Sequence, residues 1–361
     1  MPGLQKLQAL GQSVWLDNIS RELLTSGTLQ RYIRDFAVTG LTSNPTIFYK
    51  ALKDGESYDA SIRRCLDAGL TGEELFFRLA IEDIVAAADL FAPAHARTSS
   101  VDGWVSLEVS PTLAYDAKAT VAEAERLFAR AARPNVFIKI PGTRAGLSAI
   151  EESIFRGVPI NVTLLFSYQQ YEATADAWLR GIERRIEAGL DPDIASVASV
   201  FISRWDVAVH DRTPAPMRNT LGIAVGQRCY RAYREFLASR RLARVMNYGA
   251  RPQRLLFAST GTKDPAASDV LYVDALAAPL TINTIPESTL AAYADHGSAQ
   301  GALWADFGNA DAVMAAHEEA GVDIDDLAEQ LQKEGAQSFV KSWDDLLAVV
   351  AAKSASLSSL V

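Results

Sequence analysis

Eight short apolar runs separated by longer stretches of helical pattern constrain this 361-residue chain more than any other feature. They cover residues 13–17, 38–43, 104–109, 136–140, 160–166, 196–202, 255–259 and 280–284. Each is rich in β-branched and aromatic residues and short enough to be a strand. Eight strands alternating with helices is the number that closes a parallel (β/α)8 barrel, so the expected fold class is α/β, a single TIM barrel.

Helices are expected between the strands. Tyr171, Ala175, Trp178, Leu179, Ile182 and Ile186 recur at 3.6-residue spacing, while Arg180, Glu183, Arg184 and Glu187 cover the opposite side. Residues 117–131 and 221–237 read the same way. Two stretches exceed a plain barrel: residues 45–100, read as several helices inserted after the second strand, and residues 287–361, read as C-terminal helices. Phe339, Trp343, Leu346, Leu347 and Val350 give the tail an apolar face, whose default reading is packing on the barrel exterior, with partial cover of the active-site mouth as the alternative. No repeat, low-complexity tract or linker divides the chain, and composition does not shift at the turn-like residues 249–252. One domain over residues 1–361 is expected.

Composition narrows the function. Hydrophobic residues make up 49% and charged residues 22%, which excludes a disordered chain. A net charge of −9 opposes nucleic acid, although a local basic patch can still hold a small phosphate ester. The first 16 residues lack a signal-peptide pattern, and no apolar stretch reaches membrane-spanning length, so a cytoplasmic protein without a membrane partner is expected. Cys65 and Cys229 fall in no metal or redox spacing, and His95, His210, His296 and His317 form no close pair. No metal is expected.

Within the fourth run, Val136, Ile138 and Ile140 share one face, and Phe137 and Lys139 the other. A lysine there must give up the hydration of its ammonium. Desolvation favours the neutral amine, which can attack a carbonyl and form a Schiff base. The alternative is an edge strand with a snorkelling lysine.

Other strands carry polar residues at the matching parity. Asp17 ends the first, Thr42 and Asn44 the second; Glu108 lies on the third, Asn161 and Thr163 on the fifth, Ser199 and Phe201 on the sixth with Arg204 just beyond, and Ser259-Thr260-Gly261-Thr262-Lys263 follows the seventh. Such convergence describes a pocket for a polyhydroxylated carbonyl compound. Structural readings stand beside the functional ones: residues 42–45 can cap a helix, residues 17–20 can form a turn and cap, and residues 259–263 can form a solvated loop. Glu108 is hardest to explain structurally, because an acid inside a Leu-Glu-Val run needs a partner.

These residues resemble the transaldolases, members of the class I Schiff-base aldolase superfamily. The likeness runs in order from about residue 15 to residue 289, through Thr42-Ser43-Asn44-Pro45-Thr46, Ser106-Leu107-Glu108-Val109, Phe137-Ile138-Lys139-Ile140-Pro141, Asn161-Val162-Thr163-Leu164-Leu165-Phe166-Ser167 and Ala258-Ser259-Thr260-Gly261-Thr262-Lys263. It implies transfer of a dihydroxyacetone unit between sugar phosphates in the non-oxidative pentose phosphate pathway. Lys139 matches the imine-forming lysine, Asp17 the general acid/base, and Glu108 and Thr163 the pair holding a catalytic water. Asn44, Asn161 and Ser199 match residues that bind the dihydroxyacetone hydroxyls. Phe201 matches an aromatic near Asp17, and Arg204 a phosphate-binding arginine. Thr42 and Ser259 belong to the matching motifs and are expected at the substrate.

Many transaldolases carry a second arginine shortly after the serine of the seventh strand. Here Lys263 substitutes as a point charge, or the Thr260–Thr262 backbone supplies amide donors. No metal or organic cofactor is implied. Two rivals remain: a fructose-6-phosphate aldolase releasing free dihydroxyacetone, opposed by Asp17 and by the helical insertions, and a non-catalytic sugar-phosphate-binding barrel. Charge and composition permit a monomer or a homodimer.

Overall fold

All eight apolar runs become strands in the structure, a computed structural model that describes residues 3–53, 55–299, 303 and 308–358. The ends of the expected domain, and residues 300–302 and 304–307 of the tail, lie outside the described residues. The strands are β1 Ser13–Leu16, β2 Val38–Thr42, β3 Trp104–Glu108, β4 Val136–Pro141, β5 Ile160–Leu165, β6 Ser196–Phe201, β7 Arg254–Ala258 and β8 Ile282–Ile285. Each pairs in parallel with its chain neighbours, and β8 closes on β1. Only β8 starts two residues later than its run, because Leu280 adopts φ 67° and is exposed, with its N–H donated to the Gly11 carbonyl. The left-handed turn at this exposed leucine leaves the extended conformation, and regular pairing begins only after it.

Closure disposes of the edge-strand alternative for the fourth run. Lys139 sits opposite Glu108 of β3 on one side and Asn161 of β5 on the other. Seven of the eight strands are buried along their whole length, as a parallel sheet enclosed by helices requires. Several outer helices start on the side chains that suit an N-cap: Asp116 accepts from the Ala119 N–H, Thr143 from Gly146 and Ser167 from Gln170.

The lower interior is aromatic. Trp104 and Phe137 stack with ring centroids 4.1 Å apart, and Trp15 lies 6.3 Å from Phe137. Gly40 makes room for this layer; a Cβ there would stand 2.7 Å from both the Trp15 ring and the Trp104 carbonyl oxygen. That explains a glycine in the middle of β2. Above this floor the inward positions turn polar.

The insertion after β2 forms helices Pro45–Lys53, Asp59–Asp67 and Gly72–Arg97; the tail forms Glu287–His296, Ala310–Glu319 and Ile324–Ser358, the last called here the C-terminal helix. The default reading of exterior packing gives way to the alternative, cover of the mouth. The C-terminal helix runs over the mouth of the barrel: Phe339 lines the cavity there, and the Gln332 side-chain amide donates to the carbonyls of Gly142 and Leu164 at 3.0 Å each. Trp343 packs edge-on against Phe76 and tilted against Phe77, at 5.1 and 5.5 Å. Apolar spacing identified the face that must be buried; the surface that receives it is built by the inserted helices, far away in sequence.

Candidate active site

Side chains that alternate inward near the C-terminal ends of the strands converge on a cavity of about 300 Å³. Asp17, Thr42, Asn44, Lys139, Thr163, Ser199, Phe201, Arg204, Ser259 and Lys263 all line it. Glu108 and Asn161 lie behind this lining, in contact with it through hydrogen bonds. The twelve residues named from sequence are therefore brought together.

Lys139 is 4% exposed and Glu108 5%, so the amine has left water and needs compensation. Its Nζ donates to Glu108 Oε2 and to the Ser43 carbonyl, both at 3.1 Å. The Phe339 ring lies over it, centroid 5.7 Å away. Glu108 is raised from the ordinary glutamate value chiefly by burial, with Lys139 opposing and Asp17 adding to the rise. Glu108 Oε1 and Thr163 Oγ1 are buried polar atoms with no protein partner among the described residues.

Asp17 extends β1 into the cavity, and its Oδ1 accepts from Thr42 Oγ1 at 2.8 Å. Since the Thr42 proton is used there, Thr42 Oγ1 accepts from Thr284 Oγ1 at 2.6 Å. Burial raises the Asp17 carboxyl above its ordinary range, while Lys139, the Thr42 hydrogen bond and Lys263 pull the other way. A second chain of hydrogen bonds fixes the deeper polar groups: Ser199 Oγ donates to Asn161 Oδ1 at 2.8 Å, and Asn161 Nδ2 to Ser106 Oγ at 3.0 Å. Asn44 keeps the structural role as well, its Oδ1 accepting from the Ile47 N–H at 3.0 Å. Ser20 likewise caps a short helix through the Leu23 N–H.

Three cations reach the cavity besides Lys139: Arg204, Lys263 and Lys50. Lys50 was missed in the sequence, as were Thr46, Thr284 and Phe339. Thr284 follows from the same inward parity extended to β8. Phe339 carried no local signal. Ser259 turns away from the strand with φ 56°, and its hydroxyl pairs with Ser203 Oγ at 2.9 Å.

A cavity of about 380 Å³ opens at the opposite end of the barrel, lined by Trp104, Phe137, Tyr233 and Arg254 among others. Its polar groups serve one another: Arg254 Nη2 donates to Ser13 Oγ at 2.8 Å, and Ser13 and Trp15 both donate to Asp102. It offers no amine beside a carboxylate pair, so the chemistry belongs to the mouth. Among the described residues, no group of three or more His, Cys, Asp or Glu side chains is arranged to hold a metal ion. None of the described helices is long and apolar enough to cross a membrane.

Fold and site together define a (β/α)8 barrel with a buried amine–carboxylate pair at the C-terminal mouth, an arrangement suited to carbonyl chemistry. The family model described as Transaldolase/Fructose-6-phosphate aldolase matches residues 14–350. A protein named Transaldolase from Thermobifida fusca (strain YX) is 45% identical over 357 residues, covering 96% of this chain and 97% of that one. One of the same name from Parafrankia sp. (strain EAN1pec) is 44% identical over 353 residues, 95% of this chain and 96% of its own. The chain belongs to the transaldolase/fructose-6-phosphate aldolase family.

Proposed function

We propose that this chain is a transaldolase that moves a dihydroxyacetone unit from a ketose phosphate, sedoheptulose 7-phosphate or fructose 6-phosphate, to an aldose phosphate, glyceraldehyde 3-phosphate or erythrose 4-phosphate. The observation that carries this reading is Lys139, buried on β4 with its Nζ 3.1 Å from Glu108 and open to the same cavity as Asp17.

The neutral Lys139 amine attacks the ketose C2 carbonyl, and loss of water from the carbinolamine leaves a protonated imine. Glu108 Oε1 and Thr163 Oγ1, both free of protein partners among the described residues, hold the water that shuttles protons during this dehydration. Asp17 takes the proton of the C4 hydroxyl, the C3–C4 electron pair flows to the imine nitrogen, and the aldose phosphate departs. The enamine then attacks the acceptor aldehyde, Asp17 returns the proton to the new alkoxide, and hydrolysis of the imine frees Lys139. Asn44, Asn161 and Ser199 bind the hydroxyls of the three-carbon unit, with Thr42 holding Asp17. Arg204 and Lys263 take the phosphate, the former as a planar fork and the latter as a point charge. The reaction is that of the non-oxidative pentose phosphate pathway, and a cytoplasmic setting agrees with two buried free cysteines.

Borohydride reduction in the presence of fructose 6-phosphate, followed by peptide mass spectrometry, tests the reading. A reduced three-carbon adduct is expected on Lys139, and Lys139→Ala is expected to lose turnover while keeping its circular dichroism. A folded wild-type sample with no adduct would overturn it.

A further inference from the structure

Arg204 follows β6 at the rim of the cavity, and among the described residues no carboxylate forms an ion pair with it. It is held by aromatic faces: its Cζ lies 5.2 Å from the Phe201 ring centroid and 5.9 Å from that of Phe339. Phe201 ends β6 just before it, whereas Phe339 comes from the C-terminal helix. Burial pulls the guanidinium down from its ordinary value, opposed by the charge of Glu334, also on that helix. Gly335 lies next to Glu334. A Cβ on it would stand 3.2 Å from Arg204 Nη1 and 2.9 Å from Leu164 Cδ2. Glycine inside a helix costs about 1 kcal/mol relative to alanine, so one in the middle of a 35-residue helix asks for a packing reason. The reason here is double: Leu164 stands nearest to the missing Cβ, and the guanidinium closes the space beside it.

We propose that Phe339 and Gly335 are positioning residues for phosphate recognition: the ring supplies one of two faces that fix the Arg204 plane, and the missing Cβ leaves Nη1 room, so that the guanidinium fork is presented to the phosphate before the substrate arrives. A fork packed against two rings loses little freedom when it binds, and contacts made through aromatic faces leave its N–H groups available. Gln332 sets the height of the helix through its two hydrogen bonds to Gly142 and Leu164.

This inference rests on the reading of Arg204 as a phosphate ligand, and the experiment separates the two. Steady-state transfer from fructose 6-phosphate and competitive inhibition by inorganic phosphate are measured for the wild type and for Phe339→Leu, Phe339→Tyr, Gly335→Ala and Arg204→Lys. Phe339→Leu and Gly335→Ala are each expected to raise KM and weaken phosphate inhibition by about tenfold, the scale of one impaired charge-assisted hydrogen bond, a larger change than any in kcat. Phe339→Tyr keeps the aromatic face and is expected to restore phosphate inhibition relative to Phe339→Leu. Borohydride trapping with dihydroxyacetone, which carries no phosphate, is expected to proceed on Lys139 in all four variants. Should Phe339→Leu lower kcat and leave KM and phosphate inhibition unchanged, the ring serves Lys139 instead and the proposal fails. If Arg204→Lys weakens phosphate binding while Phe339→Leu and Gly335→Ala do not, the positioning inference alone is lost. An unchanged Arg204→Lys would remove the phosphate role of Arg204 and the inference with it.

Discussion

Asp17 shares the cavity wall with Lys139 and Glu108 lies behind it against the amine, yet burial pushes both carboxyls up against the attraction of Lys139. In the proposed cycle the base in carbon–carbon cleavage is the ionised Asp17. A raised value means that ionisation is completed at higher pH than for an exposed aspartate, whose ordinary value is near 3.9. The acidic limb of the kcat profile is therefore expected above that point, with activity rising as pH rises through it and falling on acidification. In Asp17→Asn, imine trapping is expected to persist while transfer falls by roughly 10²- to 10⁴-fold, the contribution of a positioned acid–base group. A variant that transfers at the wild-type rate, or one that cannot be trapped, would take Asp17 out of this role. At this scale the sequence was unusually legible, because an acid or a lysine inside a strand has few ways to be satisfied. What it could not show was the second partner of each group. Lys139 uses the Ser43 carbonyl, and Thr42 binds Thr284 from the far end of the barrel sequence; both contacts arise from closure.

Among the elements, the C-terminal helix departs most from expectation. Its apolar positions were plain from their spacing, yet the same spacing fits any apolar groove, and the groove it occupies lies beside helices inserted more than 200 residues earlier. Trp343 is the anchor, 2% exposed and packed against Phe76 and Phe77. Replacing it by alanine is expected to cost about 3–5 kcal/mol of stability. Phe339 lies one turn away, so the same substitution is expected to raise KM for a phosphorylated donor even where the barrel remains folded. Thermal unfolding and steady-state kinetics on Trp343→Ala check both effects. A lower melting temperature with unchanged KM would mean that Phe339 holds its place without the anchor. Strand β5 illustrates a different limit: Leu164 has φ 60° and the pairing with β6 shifts between Val162 and Leu165. Nothing in a run of apolar residues announces a left-handed leucine, which is stabilised here by the Gln332 bond to its carbonyl and by complete burial of its side chain.

For the molecule as a whole, these contacts decide whether the added helices are ornaments or part of the folding unit. The C-terminal helix touches the β4 and β5 ends through Gln332, the first inserted helix through the Thr46–Ser342 hydrogen bond, the second through Lys353 and Asp59, and the third through Trp343. Separating it would expose Trp343, Leu346 and Val350 together with the apolar surface they cover, and would leave the Leu164 backbone without its partner. Losing the insertion would strip the same helix of its seat. Neither can melt while the other keeps its buried area, so the chain is expected to unfold in one cooperative step, with calorimetric and van't Hoff enthalpies equal within error. Scanning calorimetry under reversible conditions is the check. Two resolved transitions, or a van't Hoff enthalpy well below the calorimetric one, would show the helical additions melting apart from the barrel. Trp343→Ala sharpens the comparison: in a single unit it moves the whole transition downward, whereas in a modular one it splits a minor transition from an unmoved major one.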